Sequence, residues 1–441
     1  MKYDKFFALA KEAGIEEVEL SFSTSHELSF SLFHGEIVSY TSSNSSSYLV
    51  RGLYKGKLGT FTSDVYNSKL AKLFVDKIIE NASVIENDDP VFIFKGSEKY
   101  KKINTFNKEL GKIPVEKKIE AAKELEAKIR SGDKRIVEVQ TVAYAEEMSS
   151  RTILNSHGLK LTQKNNFFYI YGAAVGREGN QTKSGYDIFF DNDFSKLDID
   201  KLAKSCVAET VDQLGGEPCE SATYKAVLSP DVVSALLNAY VSSASAEDVQ
   251  KNSSLFIGKL GQKVASNKVT VEDLPLAKTV FARSFDDEGV ATYNKPIIKN
   301  GVLQTYLYNL TTAAKDGVQT TANGESGGAS MVGTSPWFLR MKPGKKSQEE
   351  LFKDVNNGVY ITDVSGLHAG LNPRSGNFSL QSTGYLIENG KRGRGLDIIT
   401  VSGNLVDLFN SIEEVGSDSK VFSSATECPS VVIKKIAVSG K

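Results

Sequence analysis

The sequence predicts an α+β protein of two domains, built from antiparallel sheets with flanking helices and a strand-rich C-terminal half. Three observations carry that expectation. Long stretches of the first half alternate apolar and polar side chains with a period of two, which marks strands with one wet face. Amphipathic helical stripes fall between these stretches. Two Asn-Gly dipeptides, Asn300-Gly301 and Asn389-Gly390, mark two-residue hairpin turns, because Asn and Gly tolerate the positive φ that such a turn requires.

Taken in order, Lys2 to Ala13 reads as a helix stopped by Gly14, with Phe6, Phe7, Leu9 and Ala10 clustered. Val18-Leu20-Phe22, Leu28-Phe30-Leu32 and Tyr48-Val50 follow as a meander punctuated at Gly35 and Gly56-Lys57. Asn67 to Ala82 returns to helical spacing through Leu70, Leu73, Phe74, Ile78 and Ile79. Residues 85–113 are polar, charged and aperiodic, and read as a long loop or an arm packed on the outside. Pro114 suits the first turn of a helix over Val115 to Ile129. Strands are expected over Arg135 to Ala145, Arg151 to Leu154 and Leu159 to Val175, with a turn at His157-Gly158. A helix over Leu197 to Leu214 precedes the Gly215-Gly216-Glu217-Pro218 punctuation, which divides residues 1–218 from residues 219–441.

The second domain opens with a strand, Lys225 to Leu228, and a helix from Pro230 to about Ser245 whose less apolar side carries Ser234, Asn238 and Ser242. Short strands are expected at Val269 to Glu272 and Val280 to Ala282. The acids Asp286, Asp287 and Glu288 with Gly289 read as turn chemistry, and a solvated turn outweighs a hard-cation site. After the Asn300-Gly301 turn, a return strand would put Leu303, Thr305 and Leu307 on one face and Val302, Gln304, Tyr306 and Tyr308 on the other. One face could then serve a core and the other a groove. A glycine-rich loop from Thr321 to Gly333 and the second hairpin would complete a peptide-binding surface, and Ser430 to Val438 reads as a last strand.

Composition narrows the function. With 53 basic against 54 acidic side chains the formal net charge is -1, so no global field would gather nucleic acid or an anionic membrane. Three cysteines, Cys206, Cys219 and Cys428, form no CxxC pair, and with no apolar leader or spanning stretch they point to the cytoplasm. The four histidines His26, His34, His157 and His368 lie far apart, with no HExxH. His26 and His34 would be roughly 26 Å apart on an unbroken strand. Gly324-Glu325-Ser326-Gly327-Gly328 fits G-x-S-x-G, but the apolar strand before the serine and the helix after it are missing, so a backbone-contacting loop is the better reading. No phosphate cradle or dinucleotide fingerprint occurs, and no cofactor is implied.

Several ordered blocks carry a resemblance. FDDEGVATYNKPIIKNGVLQTYLYN, TTANGESGGAS, VYITDVSGLHAGLNPRSGNFSLQSTGYLIENGK and ITVSGNLVDLF, together with FHGEIVSYTSSNSSSYLVRGLYKGKLGTFTSD near the start, resemble the TldD/PmbA family, once labelled modulators of DNA gyrase. The resemblance implies a zinc peptidase subunit of TldD type, whose helix bears His-Glu-three residues-His, and a TldE (PmbA) type that lacks the metal set and pairs with it. The matching helix here places Asn238, Ala239 and Ser243 at those three positions. An amide, a methyl and a hydroxyl cannot hold and use zinc as two imidazoles and a carboxylate do. Cys428 abuts Pro429, unlike the glycine-rich setting of the family cysteine. The resemblance therefore implies a metal-free TldE-type subunit with no catalytic residues of its own, paired with a TldD-type zinc peptidase around a lumen that admits unfolded peptides. Asn323, Gly324, Ser326, Arg374 and Asn377 are the expected groove or partner contacts, and a homodimer is expected when the sister subunit is absent. Two other readings compete: an adaptor that holds gyrase-related proteins without chemistry, and a stand-alone peptidase using Ser326.

Overall fold

Alternation in the first two hundred residues becomes one long antiparallel sheet. The computed structural model of the protein describes residues 3–326 and 332–441. Helix α1 (Asp4–Glu12) leads into β1 (Glu17–Phe33), β2 (Glu36–Tyr54) and β3 (Lys57–Ser63), then α2 (Ala71–Ser83) and α3 (Val115–Ser131). Next come β4 (Ile136–Asn155), β5 (Lys160–Glu178), β6 (Gln181–Asp191) and α4 (Ile199–Val211). The strands lie in the order β3-β2-β1-β4-β5-β6. Residues 135–154, expected as two strands, are one.

The even-numbered residues of β1 explain how the helices sit. Val18 and Leu20 are buried beneath α1 and α2, while Phe30 and Leu32 join the core under α3 and α4. Between these two cores the strand centre, Ser23 to Glu27, carries no fully buried side chain. Strand β3 pairs only with Tyr48 to Tyr54 of β2, so residues 36–47 of β2 have β1 on one side and no described strand on the other. Strand β6 was not foreseen. A Cβ at Gly185 would collide with the backbone of α4 at Glu209 and Thr210, so the strand gives up a side chain, and its pattern, for that close approach.

The second half makes two further sheets around a main core, and a second, smaller cluster gathers Leu351, Phe352 and Val355 against Val227, Tyr360 and Val432. Strand β7 (Ala222–Leu228) runs into α5 (Pro230–Val241), followed by α6 (Ala246–Gln250). Then come β8 (Val271–Asp273), β9 (Lys295–Lys299), β10 (Val302–Leu303), α7 (Leu310–Asp316), β11 (Gly324–Glu325), β12 (Gly333–Thr334) and β13 (Leu339–Met341). Helix α8 (Gln348–Val355), β14 (Gly358–Ser365), α9 (Leu367–Gly370), β15 (Asn377–Glu388), β16 (Lys391–Asn404) and α10 (Leu405–Asn410) precede β17 (Ile412–Val415), β18 (Lys420–Phe422), β19 (Thr426–Cys428) and β20 (Val431–Ser439). One sheet has the order β16-β15-β14-β7-β20-β17 and the other β10-β9-β8-β13-β19-β18, while β11 and β12 form a ribbon of their own. Helix α5 is buried among them, with the Tyr240 ring stacked on Phe409 at 4.4 Å.

Both hairpin turns have the required backbone: φ is 50° at Asn300 and 81° at Gly301, and 52° at Asn389 and 71° at Gly390. The first hairpin is much shorter than its sequence suggests. Pairing stops at Leu303, and Tyr306, Leu307 and Tyr308 are all buried, so the expected aromatic groove face is absent. The tyrosine hydroxyls reach the Phe256 carbonyl at 2.7 Å and the Asp316 carboxylate at 3.0 Å, and these partners let the rings enter the core. Residues 280–282, expected as a strand, form an irregular turn in which the Arg283 N–H reaches the Pro275 carbonyl. Helix α5 closes at Val241 and gives way to a 3₁₀ turn over Ser242–Ala244.

The aperiodic arm joins the halves. Phe94 accepts a hydrogen bond from Asn155 on β4, Tyr100 donates to the Gly289 carbonyl at 2.8 Å, Thr311 donates to Pro90, and Lys315 pairs with Asp89. Among the described residues no helix is long and apolar enough to cross a membrane.

Candidate functional site

Helix α5 is set by its first turn. The Ser229 hydroxyl accepts from the Val232 N–H at 3.2 Å and Pro230 occupies the first helical position, where its missing N–H costs nothing. From that start Asn238 faces β19. Its amide donates to the Ser234 carbonyl and meets the buried Thr426 hydroxyl, both at 2.9 Å. Ala239 packs against the core, and Ser243 lies in the 3₁₀ turn, 5% exposed. A cavity of about 370 Å³ opens beside Asn238, walled by Ser242, Ser245, Asp248, Thr334 and Ser335. Its polar groups are hydroxyls and an amide with two half-buried carboxylates, Glu247 and Asp248, at the rim.

This donor set does not fit zinc. Asn238 is committed to Ser234 and Thr426, Ala239 carries no donor, and Ser243 has turned into the protein. Three histidines have partners on the first sheet: His26 with Asn44, His34 with Glu138 and His157 with Glu17. His368 is exposed on α9. Burial pushes the Cys428 thiol up, so it rests neutral within the core. Among the described residues no three His, Cys, Asp or Glu side chains gather as a metal site would require.

The acidic turn departs most from the sequence reading. Asp286 is fully buried and Glu288 is 4% exposed, so this is no solvated turn. The Asp286 carboxylate accepts from the Glu288, Val290 and Gly324 N–H groups at 3.0, 2.9 and 3.1 Å, and Glu288 accepts from Leu310 N–H at 2.7 Å. Burial first, then the charge of Glu288, pushes Asp286 up to about 8. Burial likewise pushes Glu288 up to about 7, with Arg51 opposing and Glu19 and Asp287 adding to the rise. Asp287 behaves differently. Burial works against its charge, but Arg151 and Arg283 outweigh that and hold it below the usual carboxylate range. Sequence reasoning missed Arg151 and the buried Glu19–Arg51 pair at 2.6 Å because those side chains come from strands far from the turn in the chain, and it missed Arg283, four residues before Asp287, because residues 280–282 were expected as a strand.

The predicted contact residues fall in two places. Asn323 is 0% exposed, its amide donating to Asp273 at 2.8 Å and to the Ser335 carbonyl at 2.7 Å, so it is enclosed rather than presented to a groove. Gly324 pairs with Thr334 across the ribbon, and Ser326 donates through its N–H and hydroxyl to Asp287 at 2.8 and 3.0 Å. Because Thr334 and Ser335 also wall the α5 cavity, the ribbon ties the acidic turn to it. Ser326 bonds a carboxylate that two arginines hold below the usual carboxylate range, which makes it a weak base, and among the described residues none of its hydrogen-bond partners is a histidine. Gly327 and Gly328 of the G-x-S-x-G match lie outside the described residues. Arg374 and Asn377 sit elsewhere, lining a cavity of about 560 Å³ with Leu371, Asn372 and Phe378.

Comparison with known proteins gives a consistent picture along the chain. The PmbA/TldA metallopeptidase domain 1 matches residues 18–83, the central domain residues 108–214 and the C-terminal domain residues 221–440. A metalloprotease of Methanocaldococcus jannaschii is 28% identical over 428 residues, which cover 95% of this chain and 93% of that protein. The metalloprotease PmbA of Escherichia coli O157:H7 is 24% identical over 331 residues, or 75% of this chain and 71% of its own. A crystal structure from Thermotoga maritima, described as a modulator of a DNA gyrase, superposes with a TM-score of 0.92 at 34% identity and covers 99% of both chains. TldE from Thermococcus kodakarensis shares the fold, with a TM-score of 0.88 at 23% identity over 99% of this chain and 100% of that one.

Proposed function

Since the chain belongs to the PmbA/TldD metallopeptidase family, we propose that it is the TldE (PmbA)-type subunit of a peptidase that takes unfolded peptides, and that its TldD-type partner supplies the zinc. One observation carries the reading. At the positions where the catalytic helix of a TldD-type chain would hold and use the metal, α5 offers Asn238 bonded to Thr426, the methyl of Ala239 and the enclosed Ser243. The cytoplasm is the proposed setting, and no nucleic acid or membrane is assigned as partner. Without its sister subunit the chain would pair with itself, and the open edge of β2 is the surface proposed for it.

The test is a zinc measurement coupled to cleavage. Purified alone, the chain is expected to carry far less than one zinc per subunit and to leave an unfolded casein substrate intact. Mixed with a TldD-type subunit it is expected to restore or stimulate cleavage. Chelator-sensitive cleavage by the lone chain would overturn the assignment.

A further inference from the structure

A groove of about 1000 Å³ runs between the arm at Tyr100–Lys108 and the start of β5, with residues 192–196 and Ser284-Phe285 completing its wall. Six lysines converge on it: Lys101, Lys102 and Lys108 from the arm, Lys160 and Lys164 from β5, and Lys196. Asp193 is the carboxylate in this lining, and it already accepts from the Ser195 N–H and hydroxyl. Lys196 pairs with Asp191 at 3.0 Å. The other five are exposed and have no ion-pair partner among the described residues.

On a chain of net charge -1 this is a local field, gathered from separate segments into a concavity, where low-dielectric walls focus it. Spacing narrows the ligand. Lys160, Thr162 and Lys164 alternate along β5 and are all exposed, so successive positions lie about 7 Å apart. An extended polypeptide repeats its side chains on one face at the same interval, so carboxylates at alternate positions would meet the lysines in step. The arm supplies the opposite wall through Lys101 and Lys102. Binding of single-stranded nucleic acid would add exposed aromatic platforms to the positive charge. Here Phe285 is 4% exposed, and Tyr100, whose hydroxyl is tied to Gly289, and Phe106 are both half-buried, so no ring of the lining is presented as an open platform.

We propose that this groove binds extended acidic segments of polypeptide, read by lysine side chains along β5 and the arm. The binding belongs to the chain by itself, so it stands or falls separately from the subunit assignment. The experiment is fluorescence anisotropy on the full chain with a roughly ten-residue labelled peptide of alternating Glu and Ser, its Lys-Ser counterpart, and an oligothymidylate of equal charge, at about 50 mM salt. The acidic peptide is expected to bind and the basic one to fail. Lys160→Glu with Lys164→Glu should weaken binding at least about tenfold, as should Lys101→Glu with Lys102→Glu. The same charge change on α1, Lys5→Glu with Lys11→Glu, should leave it unchanged, and unaltered circular dichroism would show that each variant folds. The inference is overturned if both peptides bind alike, if the α1 variant loses as much as the groove variants, or if the oligothymidylate binds as tightly with the same losses, which would mark a phosphate-backbone site.

Discussion

Asp286 and Glu288 are poorly placed to be charged together near neutral pH. Both carboxyls are buried, each raises the cost of ionising the pair, and Arg51 is already bonded to Glu19. The folded chain therefore retains protons that the unfolded chain has released, and where that holds stability falls as pH rises. The window is set by the two groups: it opens near the ordinary carboxylate range and closes where Glu288 and Asp286 have titrated, about 7 and about 8. Replacing Glu288 with Gln keeps an acceptor for Leu310 N–H and removes one titrating partner. The wild type is expected to lose stability between pH 5 and pH 8.5, and E288Q to lose roughly 1–3 kcal/mol less over that span, read from urea unfolding at each pH. Parallel curves would show that the pair is ionised throughout. The composition of this turn was legible in the sequence, but its burial was not. The side chains that enclose and balance it, Arg151 and Arg51, reach it from strands β4 and β2 through tertiary packing alone.

At the scale of elements, the parts that local chemistry dictates were the legible ones. The turns at Asn300-Gly301 and Asn389-Gly390 form as expected because a two-residue hairpin turn asks for positive φ that these two residue types tolerate, whereas the return strand after Gly301 is ended by where Tyr306 and Tyr308 find hydrogen-bond partners. The difference between a local and a tertiary demand can be measured on two glycines. Gly35, at the β1–β2 turn, has φ 77° with open space where a Cβ would project. Gly301 has φ 81°, but its Cβ would run into the carbonyl oxygens of Ala265 and Ser266. Gly35→Ala should cost about 1 kcal/mol, the backbone penalty alone, and Gly301→Ala at least about 2 kcal/mol, because the loop at Val264–Ser266 must also move. Equal losses for the two variants in urea unfolding would remove the tertiary part of the argument.

For the whole molecule, the open question is what meets the edge of β2. Natural sheets protect long edges with lysine, proline or a covering segment, since a row of unpaired N–H and C=O groups recruits another strand. Here residues 36–47 have no described strand paired on the outer side, and no charged residue or proline occurs from Ile37 to Val50. Ile37, Val38 and Tyr40 are 42%, 62% and 52% exposed, which is costly in water unless a partner covers them. A two-fold axis through Ser39 would set two such edges antiparallel and bring Val38 of one copy opposite Tyr40 of its partner twice over. That is the aromatic and β-branched pairing that stabilises neighbouring strands. All three native cysteines are buried, so Ser39→Cys would introduce the one accessible thiol. Under mild oxidation S39C is expected to form a covalent dimer, while Val38→Lys, which places the missing edge charge, should yield a monomer by light scattering. If V38K remains dimeric and S39C does not cross-link, self-association proceeds through another surface. If the wild type is monomeric and both variants behave like it, the edge is kept for the sister subunit, and V38K should then weaken assembly with that chain instead.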